Sequence, residues 1–190
     1  MSRILVLYGT TDGHTAKVAR SLAETLRCQG AVVVVHDARS VDCTPDDYDG
    51  VIVAASVRGG RYQKAVWGWV RSHRAVLNTK PTAFVSVCLG VLQRDAKVDR
   101  TLETIRQRFL DETGWHPTVT KLVAGALLYR RYNFFLRWFM KRIVAKAGGD
   151  TDTTRDYEYT DWKDLRAFAE QFGHMVAGQP IAIPAARAPI

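Results

Sequence analysis

The hydrophobic pattern between Arg3 and Leu26 changes period once, and that change restricts the fold more than any other feature of the chain. Ile4-Leu5-Val6-Leu7-Tyr8 is a continuous apolar run, the pattern of a strand buried on both faces. From Thr15 onward Val18, Ala19, Leu22, Ala23 and Leu26 recur at helical spacing, and Gly30 is a natural stop. Between the two lies Gly9-Thr-Thr-Asp-Gly-His-Thr15. A strand–turn–helix unit aims free backbone N–H groups and the positive end of a helix into the turn, which suits a phosphate. Thr10, Thr11 and Thr15 add hydroxyl donors, and Gly13 lets the backbone approach closely. A P-loop is excluded, because Gly13-His14-Thr15 contains no lysine. The dinucleotide pattern GxGxxG is excluded too, because Gly9 is followed by two threonines. What remains is a phosphate cradle of hydroxyls and amides without a cation.

The rest of the chain repeats the alternation. Residues 31–35 form a β-branched strand, 44–47 a turn, and 51–55 a third strand that ends in Ser56-Val-Arg-Gly-Gly-Arg-Tyr62. Val66, Trp69, Val70, Val76 and Leu77 mark a helix face, slightly weakened by Gly68. After Pro81, residues 82–87 are a fourth strand leading to Ser86-Val-Cys-Leu-Gly90. Val98, Leu102, Ile105 and Phe109 mark a helix that ends near Gly114. A fifth strand is expected at 122–128. A last helix begins near Asp161, buries Trp162, Leu165, Phe168 and Phe172, and stops at Gly173. Pro180, Pro184 and Pro189 predict an extended or disordered tail over 179–190, after a single domain of residues 1–178.

Strands alternating with helices give an α/β, doubly wound parallel sheet. The T-T-D-G-H-T run resembles the phosphate loop of flavodoxins, with Asp12 where Thr is usual. The resemblance implies the flavodoxin-like strand order 2-1-3-4-5, whose ligands bind beyond the carboxyl ends of the strands at the switch point. Loops 9–15, 56–62 and 86–96 meet there, the last two placed to flank an isoalloxazine ring. Arg58 would add a cation near a reduced flavin, or simply be solvated loop charge. A response-regulator receiver is excluded, because Tyr8-Gly9 and Ala55-Ser56 stand where its acidic pair and phosphoacceptor must be.

The chain has 190 residues, 47% of them hydrophobic, and a formal charge of +8, which predicts one full-cored domain. The N-terminus carries no secretory pattern, and no apolar run is long enough to span a bilayer. Cys28, Cys43 and Cys88 are scattered and odd in number, as in a reducing cytoplasm. The histidines show no metal-ligand spacing and are expected at the surface or in caps. Residues 129–146 contain Arg130, Arg131, Arg137, Lys141, Arg142 and Lys146 and no acid, which is six of the eight excess charges. The basic surface is therefore local. On a helix, Leu136, Phe139, Met140, Ile143 and Val144 share one face, and Phe134 and Trp138 the other. An aromatic pair flanked by cations suits an anionic membrane surface. It equally suits a flat aromatic substrate bearing carboxylates, and the third reading is a core-packed helix with solvated charges.

One further resemblance covers nearly the whole chain. Residues 10–15, Ala55-Ser-Val-Arg-Gly-Gly-Arg-Tyr62, Ala124-Gly-Ala-Leu-Leu-Tyr-Arg-Arg-Tyr132, Gly148-Gly-Asp-Thr-Asp-Thr153 and Tyr159-Thr-Asp-Trp162 resemble the flavodoxin-type, quinone-dependent protoporphyrinogen IX dehydrogenases of bacterial haem synthesis. Asp12-Gly13 is ordinary in that family. The resemblance implies an FMN oxidoreductase, peripheral on the cytoplasmic face of the cell membrane, that oxidises protoporphyrinogen IX and reduces menaquinone or ubiquinone. Expected cofactor contacts are Thr10, Thr11, Asp12, Gly13, His14 and Thr15, then Ser56, Arg58 and Gly59, then Ser86, Val87, Cys88, Leu89 and Gly90, and finally Gly149 and Asp152. Arg130, Arg131, Tyr132 and Trp138, within an insertion at 129–148, are the expected substrate contacts. No residue stands out as a catalytic base, and no metal or nucleic acid is expected. Self-association into a homo-oligomer is left open. Two other functions fit the sequence less well. Flavodoxin electron carriers are typically acidic, unlike this chain, and an NAD(P)H:quinone reductase needs a nicotinamide site that the sequence does not offer.

Overall fold

The computed structural model describes residues 1–40, 43–90, 95–131 and 152–178. Five parallel strands form one sheet in the order β2-β1-β3-β4-β5. They are β1 (Arg3–Gly9), β2 (Val32–Asp37), β3 (Gly50–Ser56), β4 (Thr82–Cys88) and β5 (Val119–Ala124). Between and after them run α1 (His14–Cys28), α2 (Lys64–Leu77), α3 (Ala96–Thr113) and α4 (Trp162–Val176).

The apolar runs of the sequence are consumed by burial on both faces. Side chains alternate along a strand, so Ile4 and Val6 of β1 pack with α1 and α4, whereas Leu5 and Leu7 pack with α2. All four are fully buried. Ile52 and Ala54 of β3 follow the first pair, and Val51, Val53 and Ala55 the second. On the α2/α3 side an aromatic cluster fills the core. Phe84 stacks on Phe109 with ring centroids 5.0 Å apart and meets Trp115 and Tyr62 edge-on at 5.5 and 5.1 Å. The fully buried Trp115 spends its indole N–H on Thr82 Oγ1 at 3.2 Å, so no polar atom of the ring is left unpaired.

The helix ends follow local chemistry. Asp95 caps α3 by accepting from the Lys97 N–H at 2.7 Å, and Asp161 caps α4 by accepting from the Asp164 N–H at 3.0 Å. Gly114 closes α3 in the left-handed conformation. Gly173, expected to stop the last helix, lies inside α4. A Cβ there would come within 2.1 Å of Gln29 Oε1, so this glycine serves the close approach of α4 to the end of α1.

The fifth strand differs from expectation. It starts at Val119 and ends at Ala124, and Ala126–Leu127 forms a separate short strand, β6, antiparallel to β7 (Tyr157–Glu158). The apolar run over 122–128 thus serves two sheets. Gly125 makes the join, its N–H donating to Cys88 O and its carbonyl accepting from the Tyr159 N–H. Of the insertion, only residues 129–131 are among those described, as a single 3₁₀ turn. The proline-rich tail lies outside the described residues.

Phe84→Ala removes the centre of the aromatic cluster. It is expected to destabilise the protein by about 3–5 kcal/mol, read as a lowered urea midpoint at unchanged slope.

Candidate functional site

The carboxyl ends of β1, β3 and β4 meet at one edge of the sheet, and the polar loops leaving them are stitched together. Gly9, the last residue of β1, has no room for a side chain. A Cβ there would lie 2.4 Å from Val66 Cγ2 and 3.0 Å from Gln63 Oε1. The following turn is held by Thr10, whose Oγ1 accepts from the Gly13 N–H at 2.9 Å, and by Gly13 itself at φ 94°. The first internal bond of α1 runs from Lys17 N to Gly13 O. The N–H groups of His14, Thr15 and Ala16 precede that bond and are the unspent donors of the helix start.

The second loop is a tight hairpin. Arg58 and Arg61 exchange backbone hydrogen bonds at 2.9 and 3.2 Å. Gly59 and Gly60 between them have φ of 58° and 74°, the sign that a type I′ turn requires at both central residues. Arg58 Nη1 lies 3.4 Å from Asp12 Oδ1, so the cation foreseen for a flavin ring is shared with the first loop. Gln63 adds a second tie. Its Nε2 donates to Ser56 Oγ at 2.6 Å and to Thr11 Oγ1 at 3.4 Å, while its buried Oε1 has no partner among the described residues. Gln63 was not foreseen, because its role as the residue before α2 shows only when β1 and β3 are side by side.

At the end of β4, Ser86 is buried and hydrogen-bonded to the Tyr62 hydroxyl at 2.7 Å. Burial pushes the Tyr62 phenol up to about 12, against the hydrogen bond from Ser86 that pulls it down. Burial likewise raises the Cys88 thiol, whose sulfur accepts from the Gly90 N–H at 3.3 Å. Both groups therefore keep their protons at neutral pH. Val87 offers its carbonyl to the Val57 N–H at 3.0 Å. Leu89 packs against Leu127 and Tyr129 beneath β6, and Gly90 sits where a Cβ would press on Val98.

His14 departs from the surface or capping role. Its side chain is only 9% exposed and turns away from the loop, with Nε2 2.8 Å from Thr160 Oγ1. Since the Thr160 hydroxyl donates to Ala124 O at 2.7 Å, the imidazole must be the donor, which places its proton on Nε2. Nδ1 then faces Glu158 Oε2 at 3.8 Å. Glu158 is held by Lys17 at 2.9 and 2.7 Å and by the Trp162 indole N–H at 2.7 Å, and Lys17 lies over the Trp162 ring. The chain returning from the insertion is thereby fastened to the helix that opens the cradle. Thr15, also expected to touch the cofactor, is buried in the first turn of α1.

Of the remaining expected contacts, three are among the described residues. Asp152 accepts from the N–H and hydroxyl of Thr154 at 3.0 and 2.7 Å and pairs with Arg155 in a local turn. Arg130 donates its backbone N–H to Asp156 at 2.9 Å. Arg131 belongs to the same 3₁₀ turn. Tyr132, Trp138 and Gly149 lie outside the described residues. No described helix is long and apolar enough to cross a membrane.

A hydroxyl-and-amide cradle at the first strand–helix turn of a 2-1-3-4-5 sheet defines a flavodoxin-type domain. Residues 5–154 match the family model described as "Flavodoxin domain", a family whose cofactor is a flavin. The chain is 38% identical over 186 residues to "Protoporphyrinogen IX dehydrogenase [quinone]" of Leishmania major, covering 96% of this chain and 78% of that one. It is 33% identical over 174 residues to the protein of the same name from Escherichia coli strain K12, covering 91% and 96%. The chain therefore belongs to the family of protoporphyrinogen IX dehydrogenases, which are oxidoreductases. Among solved structures, a short-chain flavodoxin associated with a bacterial microcompartment superposes with a TM-score of 0.58 at 16% identity, over 95% of this chain and all of the other. Oxidised flavodoxin 1 from Bacillus cereus gives 0.54 at 17%, over 90% and 97%. These two establish the fold.

Burial pushes the His14 imidazole below its usual 6.5, outweighing the pull of Glu158 in the other direction. Below that value the unfolded chain takes up a proton that the folded chain refuses, so stability falls as pH drops below about 6.5. His14→Gln keeps a donor for Thr160 and removes the titration. Urea unfolding at pH 7.5 and 5.5 is expected to show a smaller acid loss for this variant than for the parent.

Proposed function

We propose that this chain is an FMN-dependent protoporphyrinogen IX dehydrogenase that passes electrons to menaquinone or ubiquinone at the anionic cytoplasmic face of the membrane. The observation that carries the reading is identity of 38% and 33% to two proteins of that name along nearly the whole chain. Conversion of protoporphyrinogen IX to protoporphyrin IX removes six electrons and six protons, so three quinones become three quinols per product formed.

The residues at the strand ends fit the cofactor. The amides of the first turn of α1 and the hydroxyls of Thr10 and Thr11 can hold a phosphate without a lysine, since each hydroxyl accepts a bond in the loop and keeps its own proton to donate. The orphaned Gln63 Oε1 is an acceptor for a hydroxyl of the ribityl chain. FMN, when bound, supplies a two-electron acceptor that can take a hydride. Tyr62 and Cys88, protonated at neutral pH, offer donors there, so neither of them takes up the pyrrole protons. The six cations of residues 129–146 supply partners for propionates or for lipid phosphates.

Turnover is tested directly by following protoporphyrin fluorescence with purified protein, FMN and protoporphyrinogen IX, with and without a soluble quinone. Quinone-dependent formation supports the proposal, and reduction of the flavin without any porphyrin product overturns it. Gly13→Val forces a branched side chain into the left-handed region at a cost of about 1–3 kcal/mol. FMN affinity, measured by quenching of flavin fluorescence, is expected to fall roughly 10- to 100-fold. Liposomes containing phosphatidylglycerol are expected to sediment the parent protein, and progressively less of it as salt rises. A variant with Arg137, Lys141, Arg142 and Lys146 changed to Gln should stay in the supernatant, and equal sedimentation would remove these cations from membrane attachment.

A further inference from the structure

A cleft of about 510 Å³ opens between α2 and α3, on the side of the sheet away from α1, within the size range of small-molecule sites. Trp67 of α2 and Ile105 and Phe109 of α3 form its walls, with Gly68 of α2 between them as its floor, and Arg61, Lys64, Arg108 and Glu112 carry its charge. Gly68 is unexplained by packing. A glycine inside a helix is unfavourable, and a Cβ at this position would meet nothing within 4 Å. The missing side chain leaves the floor of the cleft open.

The polar complement is one-sided. Arg61, Lys64 and Arg108 are donors only. The Trp67 indole N–H is buried and has no acceptor among the described residues, although Arg71 holds the ring from 4.9 Å. Glu112 is the single acidic side chain in the lining. The cleft also adjoins the strand-end loops through one residue. Tyr62 lines it, packs on Phe109 at 5.0 Å, and reaches Ser86 at the end of β4 with its hydroxyl.

Resting on the function proposed above, we infer that this cleft holds the ring of the quinone acceptor. A quinone is a flat apolar ring with two carbonyl acceptors and no donor, the complement of aromatic walls rimmed by donors. A tetrapyrrole is a poorer match: its propionates could pair with the cations, but its four pyrrole N–H groups need acceptors and the lining supplies one carboxylate.

The test fills the cleft from its floor. Gly68→Leu raises helix propensity and enters open space, and its fold is checked by circular dichroism and thermal melting. Calorimetric titration of menadione into oxidised, FMN-loaded protein is expected to show at least a ten-fold weaker Kd for Gly68→Leu, with Gly68→Ala in between. Stopped-flow reoxidation of the reduced protein by menadione should slow in parallel, while reoxidation by ferricyanide and flavin reduction by protoporphyrinogen stay at parental rates. Unchanged menadione affinity in a folded Gly68→Leu overturns the inference, as does loss of protoporphyrin binding in place of menadione binding. A photoreactive azidoquinone gives a second measure on the parent protein. Labelled peptides covering residues 60–68 or 105–112 support the site, and labelling confined to other segments overturns it. If menadione fails to reoxidise the parent protein at all, the proposed quinone-linked function fails, a result distinct from equal reoxidation of parent and variant.

Discussion

A parallel sheet covered on both faces has nowhere to keep polar chemistry except at its ends, and this constraint governs the molecule. Ile4 to Leu7 are fully buried, as are Val51 to Ala55, so no side chain in the middle of β1 or β3 can meet water or a ligand. A buried polar group there would need a partner or carry a desolvation cost. The threonines, serines, glycines and arginines displaced from the strands collect at their carboxyl ends. Because β1 lies between β2 and β3, with α1 on one face and α2 on the other, the loops after β1 and β3 diverge and leave a crevice.

Divergent loops are useful to a ligand only if they hold still. Gln63 and the Asp12–Arg58 pair hold these two to one another, and Tyr62 joins the second loop to β4 through Ser86. The ion pair is partly exposed and contributes little by itself. The half-buried glutamine adds a second tie, since its amide N–H groups link Ser56 and Thr11, while its buried carbonyl oxygen is left for a ligand to satisfy. An arrangement of this kind is ordered before a ligand arrives, which reduces the entropy lost on binding.

The first strand, its loop and α1 were legible in the sequence because all their determinants are local. A change from a continuous run to helical spacing, and the residue types in the turn, lie within 25 consecutive positions. The alternation of strands and helices made a doubly wound parallel sheet legible, and its order followed from the resemblance of the Thr10–Thr15 turn to a flavodoxin phosphate loop. The division of residues 122–128 between two sheets was not, because the partner of Ala126–Leu127 lies some 30 residues later at Tyr157–Glu158, beyond a segment with no strand signal. The burial of His14 escaped for the same reason, since Thr160 and Glu158 are long-range neighbours. Gln63 carries no signal of its own, being one amide ahead of a helix.

The pairing of Ala126 with Glu158 and of Leu127 with Tyr157 has an evolutionary consequence. The chain departs from the domain and returns to it at one point, so whatever lies between is a detour attached by a closed neck. Closing a longer detour costs little, only about 0.6 kcal/mol for each doubling of its length, and the five strands need not shift to accommodate it. A lineage can therefore lengthen, shorten or recompose this stretch while the domain keeps its register.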